Sequence, residues 1–232
     1  MQLDGVTLAN CDSFKYLGSL IHRDGGCAAD VIHRIGVGWI KFRSVTGILC
    51  DSKMPIKLKG KIYQTIVRPA IMYGSECWTM YNSYTRQLET AEMRILRWSA
   101  GVSLKDKIKS SRIRGSLGVT DINSKLEERQ LRWYGHIRRR PSDHTVRQTM
   151  SMELHRQSSK GRPKNSWTTQ CSKILRRNGL DEGDTQNRRY YNLRTRRADP
   201  NSLPRKVFHQ NDAAFFSCYN KLLLKNKNNI FF

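Results

Sequence analysis

The sequence predicts a mainly α protein: a short N-terminal β-hairpin, then a bundle of helices, then further helices that carry most of the positive charge. Three observations predict it. Residues 1–22 alternate apolar and polar side chains around turn formers, the period of a strand. From Ala28 to Trp98 apolar residues recur in steps of three and four, the period of a helix with one buried face. Lysine and arginine number 42 against 19 acids, a net charge of +23. By segment the charge is +1 over 1–54, +4 over 55–104, +7 over 105–150, +7 over 151–200 and +4 over 201–232.

The elements follow in order. Val6 and Leu8 form one alternating run, and Phe14, Tyr16, Leu17, Leu20 and Ile21 a second, with a turn expected at Asn10–Asp12. After Asp24-Gly25-Gly26, the residues Ala28, Val31, Ile32, Ile35, Trp39, Phe42, Val45 and Leu49 describe a helix about six turns long. Gly36 and Gly38 weaken it and allow another element to come close. A second helix begins near Pro55 and runs through Leu58, Ile62, Ile66, Ala70, Tyr73 and Cys77, with a kink or break expected at Pro69. A third, capped by Asn82-Ser83 and stopped by Gly101, places Leu88, Ala91, Ile95 and Trp98 on one stripe. Ile108–Leu117 is a short helix, Gly118 a turn, and Asp121 the cap of a longer helix through Leu126, Trp133 and Ile137 that ends before Pro141. Residues 157–165 read as a basic linker. Trp167, Cys171, Ile174 and Leu175 form a helix stopped at Asn178-Gly179, and Asp181 opens another through Tyr190, Tyr191 and Leu193. The tail beyond Pro200 is irregular.

Composition bounds the function. The 232 residues, 38% of them hydrophobic, suffice for a core and place the chain in one or two domains. The excess of cations points to a polyanion partner, mainly after residue 104. No membrane span or secretory leader is legible, so the nucleus or cytoplasm is the expected compartment. The six cysteines at 11, 27, 50, 77, 171 and 218 make no C-x-x-C pair and read as reduced, half-buried thiols rather than metal ligands. There is no Asp-Asp dipeptide, Walker loop, H-E-x-x-H or G-x-S-x-G, so no metal site, catalytic residue, cofactor or small-molecule substrate is expected.

Three segments are candidates for polyanion contact. Leu131–Arg140 interleaves Arg132, Arg138, Arg139 and Arg140 with Trp133, Tyr134 and His136, as phosphate contact plus stacking requires. The same pattern fits a helix whose Trp133 and Ile137 are core and whose arginines are a solvated face. Lys160-Gly161-Arg162-Pro163-Lys164 matches an arginine hook for a narrow minor groove, through Arg162, or a solvated linker. Residues 108–137 admit a helix-turn-helix with Gly118 at its turn, which makes a stand-alone DNA-binding protein the alternative reading.

Several strings, in order, resemble the reverse transcriptases of non-LTR retrotransposons, of the LINE-like, RTE or jockey type. They are Phe14-Lys15-Tyr16-Leu17-Gly18-Ser19; Arg34-Ile35 with Trp39 and Lys41-Phe42-Arg43; Lys59-Gly60-Lys61-Ile62-Tyr63; Val67-Arg68-Pro69-Ala70; Tyr73-Gly74-Ser75-Glu76-Cys77-Trp78; Glu92-Met93-Arg94 with Leu96-Arg97-Trp98; Leu131-Arg132-Trp133-Tyr134-Gly135-His136; Gly161-Arg162-Pro163-Lys164 with Trp167; and Arg196-Arg197-Ala198-Asp199-Pro200. The resemblance implies a fold and a set of roles. Residues 1–26 would be the end of a palm, with Tyr16, Leu17 and Gly18 in the hairpin that grips a primer, and 27–104 a helical thumb-like bundle. A basic helical region over 105–156, the linker 157–165, a short helical pair over 166–200 and a divergent tail over 201–232 would follow. Lys41, Arg43, Lys59 and Lys61 would face template and primer. The family's polymerase carboxylates lie upstream of the Lys-Tyr-Leu-Gly segment, so none is carried over and Mg²⁺ would serve only the missing palm. The resemblance therefore implies a truncated polymerase fragment that binds RNA, DNA or their hybrid without chemistry, or a relic without function in which Val6, Leu8, Tyr16 and Leu20 have lost their cover. The oligomeric state is left open.

Overall fold

The computed structural model describes residues 2–3, 6–7, 11–151 and 166–200. Leu8, Cys218, Arg162 with the rest of the 157–165 linker, and the 201–232 tail lie outside the described residues. The chain is mainly helical after a short antiparallel start, as the two periods predict. β1 (Gln2–Leu3) pairs with β2 (Val6–Thr7), and β3 (Ser13–Tyr16) with β4 (Ser19–His22). The second ribbon reverses at Leu17-Gly18, both with positive φ (47° and 87°), the geometry of a two-residue hairpin turn whose twist suits its strands. This corrects the expected turn at Asn10–Asp12. The Phe14–Ile21 run folds on itself because Gly18 accepts a left-handed backbone, and Val6–Thr7 pairs with residues before it.

The expected six-turn helix is split. α1 (Ala28–Ser44) stops where Val45 leaves helical geometry (φ −121°), and α2 (Thr46–Leu49) resumes after it. The Thr46 hydroxyl donates to the Phe42 carbonyl at 3.0 Å, taking an acceptor that an unbroken helix would use. α3 (Ile56–Ile62) opens just after Pro55. The irregularity expected at Pro69 takes the form of a π turn over Tyr63–Val67, in which the Arg68 N–H donates to the Tyr63 carbonyl, and α4 (Arg68–Ile71) follows. Proline has no N–H for the Thr65 carbonyl, and the wider turn makes room for its ring.

α5 (Asn82–Ala100) begins with Asn82 inside the helix and Tyr81 as its cap, and ends at Gly101 with φ +67°. Leu88, Ala91 and Ile95 are buried on its stripe, but Trp98 is 62% exposed. Trp98 sits at the rim instead, edge-on to Trp39 and Phe42 with ring centroids 6.2 and 6.0 Å away. α6 (Ser110–Leu117) turns at Gly118 into α7 (Ile122–Arg138), whose Asp121 cap accepts the Ser124 N–H at 2.9 Å. α8 spans Thr145–Ser151, and α9 (Trp167–Arg177) stops before Gly179. The helix expected from Asp181 starts later. Asp181 and Asp184 accept each other's backbone N–H at 3.0 and 2.9 Å around a 3-10 turn, and α10 (Arg188–Thr195) follows a cap by Asn187.

Residues through Ala198 form one compact unit with two cores. The larger draws on α1 to α7 and includes Val31, Phe42, Tyr63, Ile71, Leu88 and Leu117; it runs past residue 104 to Ile122 and Leu126. The smaller joins Leu131 and Tyr134 of α7 to Cys171, Ile174 and Leu175 of α9 and Tyr191 of α10. α7 thus belongs to both. Gly38 of α1 lies against the Ile71 side chain, the close approach expected of it, whereas Gly36 has no neighbour there.

One short turn, Tyr73–Trp78, links the hairpin and both cores. Asp30 of α1 is buried, and its two carboxylate oxygens accept from the Leu20 N–H and the Trp78 indole N–H, each at 2.9 Å. The Arg34 guanidinium lies 4.3 Å over the Tyr73 ring and donates to the Ser19 hydroxyl. The Tyr73 hydroxyl donates to the Leu17 carbonyl at 3.1 Å. Gly74 holds φ +74°, and a Cβ there would lie 2.7 Å from the Ser19 hydroxyl oxygen, so position 74 needs glycine twice over. From the other side Gln130 donates to the Trp78 carbonyl and Trp167 to the Glu76 carbonyl, both at 2.8 Å.

Candidate nucleic-acid interface

On α7, the residues Arg129, Arg132, Trp133 and His136 follow helical spacing and share a face, and Arg140, just past the end of the helix, approaches His136. The opposite face, through Leu126, Gln130, Leu131, Tyr134 and Ile137, is buried. α10 packs alongside because its Tyr191 is buried in the smaller core and donates to the Leu131 carbonyl at 2.8 Å. That packing sets Arg188 and Asn192 opposite the α7 face. The result is a groove of about 420 Å³ between α7, α10 and the Ser75–Cys77 turn, lined by Glu76, Arg129, Arg132, Trp133, His136, Arg139, Arg188 and Asn192.

The groove is cationic with one acid in its wall. Glu76 is held by Arg129, which also donates to the Met72 carbonyl. Arg132 pairs with Glu128 at 2.7 Å while its side chain stays 62% exposed. Arg139 donates to the Thr185 carbonyl. Arg188 has no carboxylate partner among the described residues. The Trp133 and His136 rings stack, with centroids 5.3 Å apart and planes 13° apart.

His136 is held below the usual imidazole value, first by desolvation and then by the guanidinium groups of Arg140, Arg139 and Arg188. Arg140 approaches its Nε2 at 3.2 and 3.4 Å, a contact in which that nitrogen accepts and the ring is neutral. A polyanion in the groove would reverse the local field and raise this pKa. The bound state then takes up a proton, so if an oligonucleotide binds here its affinity is expected to climb as pH falls from the raised bound-state value towards the free-state one, which lies below the usual value of about 6.5, and to level off beneath it. Titrations between about pH 8 and pH 5.5 should show that slope, and His136→Gln should flatten it.

The residues named from sequence divide by environment. Lys41 and Arg43 in the last turn of α1, and Lys61 on α3, are exposed. Lys59 is not: it is 6% exposed, and its ammonium donates to the Ser99 carbonyl at 2.9 Å, satisfying the C-terminal end of α5. It is corrected from contact residue to helix cap. Tyr16 and Leu17 are exposed at the hairpin tip with Gly18 beside them. Arg138 is tied to Glu182 at 2.7 Å on the far side of α7, so of Arg132, Arg138, Arg139 and Arg140 only Arg132 and Arg139 line the groove, with Arg140 at its edge through His136. At the start of α7, which the helix-turn-helix reading would make its reading head, Asn123, Ser124, Lys125, Glu127 and Arg129 are half-buried.

Arg129 is legible in the helical spacing of the run. Arg188 and Asn192 carry no signal near that run, because only tertiary packing brings them there. A second basic and aromatic surface was also missed: Ile32, Ile35 and Trp39 of α1 face Arg86 and Arg94 of α5 across a depression of about 380 Å³. Arginines at 86 and 94, eight apart on one helix, together with the apolar Ile32, Ile35 and Trp39 spacing on another, are the signal that could have found it.

The cysteines are not uniformly half-buried as expected: Cys11, Cys50 and Cys77 are exposed, Cys27 is half-buried and Cys171 is buried. Burial pushes up the thiols of Cys27 and Cys171, that of Cys171 to about 12. Among the described residues no three His, Cys, Asp or Glu side chains are grouped to hold a metal ion, and no helix is long and apolar enough to cross a membrane.

Fold and groove together define a strongly basic helical chain with an arginine- and aromatic-lined cleft. Its sequence is similar to that of a Caenorhabditis elegans protein named as uncharacterized and transposon-derived, with 27% identity over 146 residues. The match takes in 60% of this chain and 49% of that relative, so the chain spans about half the relative's length. No family model matches, and no solved structure does.

Proposed function

We propose that this chain is the nucleic-acid-binding part of a transposon-derived reverse transcriptase of the non-LTR type, a thumb-like bundle followed by a basic region, with no chemistry of its own. The observation that carries the reading is the cleft, where four arginines converge on a stacked tryptophan and histidine. Guanidinium groups supply phosphate contact and the ring faces supply stacking. The likeness to a transposon-derived protein and the order of the retrotransposon-like strings support the origin.

Binding of the purified chain to duplex DNA, single-stranded RNA and an RNA–DNA hybrid across a salt series tests it. A steep decline of affinity with salt is expected, with each neutralised phosphate adding about 0.7–0.9 to the slope. Replacing Arg132, Arg140 and Arg188 together by glutamine should lower that slope by roughly 2 to 3, and replacing Lys41, Arg43 and Lys61 should lower it by a similar amount. Failure to bind any of the three at about 0.1 M salt would overturn the proposal. So would robust primer extension by the chain with Mg²⁺ and dNTPs.

A further inference from the structure

We infer that the α7–α10 groove takes an unstacked nucleotide from a single strand or overhang, and does not read duplex. The inference rests on the nucleic-acid reading above and deepens it. A duplex offers only its convex phosphate surface, and its base faces are covered by their neighbours. The groove is concave, its volume of about 420 Å³ falls within the range that encloses a small ligand, and a duplex backbone does not enter a cleft of that kind.

The lining is distributed as a nucleotide is. Trp133 and His136 stack with their planes 13° apart, and a base would extend that stack. Arg132 and Arg188 rise from different helices on either side of it, where a phosphate joined to that base can be met from two directions. Asn192 adds an amide with both donor and acceptor capacity in the same wall. The acid in the wall, Glu76, is neutralised by Arg129 at 3.3 Å, so it does not repel the phosphate. Stacking of one base on one aromatic platform accounts for about tenfold in affinity, and is tolerant of base identity.

The test uses the full chain and fluorescein-labelled DNA in three forms: a blunt duplex, the same duplex with a 3′ overhang of about six nucleotides, and that overhang built from abasic residues. Binding is read by anisotropy at one salt concentration. The overhang is expected to bind about tenfold tighter than the blunt end, the abasic overhang to lose that gain, and Trp133→Ala to abolish the difference. The abasic comparison uses unaltered protein, so it stands even if Trp133→Ala folds poorly. Equal affinity for overhang, abasic overhang and blunt duplex would overturn the inference while leaving the nucleic-acid reading intact. Absence of binding to all three would overturn that reading itself.

Discussion

Replacing Arg114 by methionine is expected to destabilise the fold by about 3–5 kcal/mol, because it strands a buried carboxylate. Glu92 on α5 is fully buried and accepts from Arg114 Nε at 3.0 Å, from Arg114 Nη2 at 2.8 Å and from the Tyr63 hydroxyl at 3.2 Å. Burial pushes the Glu92 carboxyl up, and Arg114 is the largest influence holding it down. Without the guanidinium the folded-state value climbs further above the unfolded one. A carboxyl raised in the folded state binds its proton more tightly there, so stability falls as pH rises through the window from the unfolded to the folded value. The loss in Arg114→Met should therefore be least in acid and grow towards neutrality, read by urea unfolding at several pH values. Adding Glu92→Gln should remove that growth and recover part of the loss; a single variant as stable as the parent at pH 7 would refute the account.

Gly60→Ala is the second large effect. α3 crosses the end of α6 so closely that a Cβ at position 60 would overlap the Leu117 carbonyl oxygen, and backbone cannot rotate aside as a side chain can. Lys59 and Ile62 flank the crossing and are buried, and Gln64 donates to the Gly118 carbonyl at 2.8 Å on the next turn. The helices must separate, at a cost at or above the upper end of the roughly 1–3 kcal/mol typical of overpacking. Gly36→Ala makes the control, since its Cβ meets nothing and should stabilise by up to about 1 kcal/mol through helix propensity. Midpoints of urea unfolding moving in opposite directions for the two alanines would bear out the crossing.

Apolar periodicity located the long helices but not the break at Val45 or the exposure of Trp98. α5 and α7 were legible from apolar spacing, and Gly101, Gly118 and Asp121 marked the ends of α5 and α6 and the start of α7 because cap chemistry is local. The hairpin turn was misplaced because Asn10–Asp12 has turn composition while Leu17-Gly18 hides its glycine behind an apolar residue. Lys59 looked exposed because a lysine on a helix usually is; its burial depends on the end of a helix forty residues away. Glu92 and Arg114 had no legible relation, being on separate elements. The candidate groove was half legible for the same reason: α7 carries its own face in sequence, whereas Arg188 arrives only because Tyr191 anchors α10.

The β3–β4 ribbon bears on how this protein behaves in solution. Phe14, Tyr16, Leu17 and Ile21 are each more than half exposed, and the ribbon pairs with no further strand among the described residues. Two copies meeting there would gain apolar contact and strand pairing, and at low ionic strength the repulsion between chains of charge +23 opposes the encounter. Added salt shortens the reach of that repulsion. The ions that release the protein from a polyanion therefore also lift the colloidal barrier between its own copies, so free chain at high salt is the form most prone to self-association.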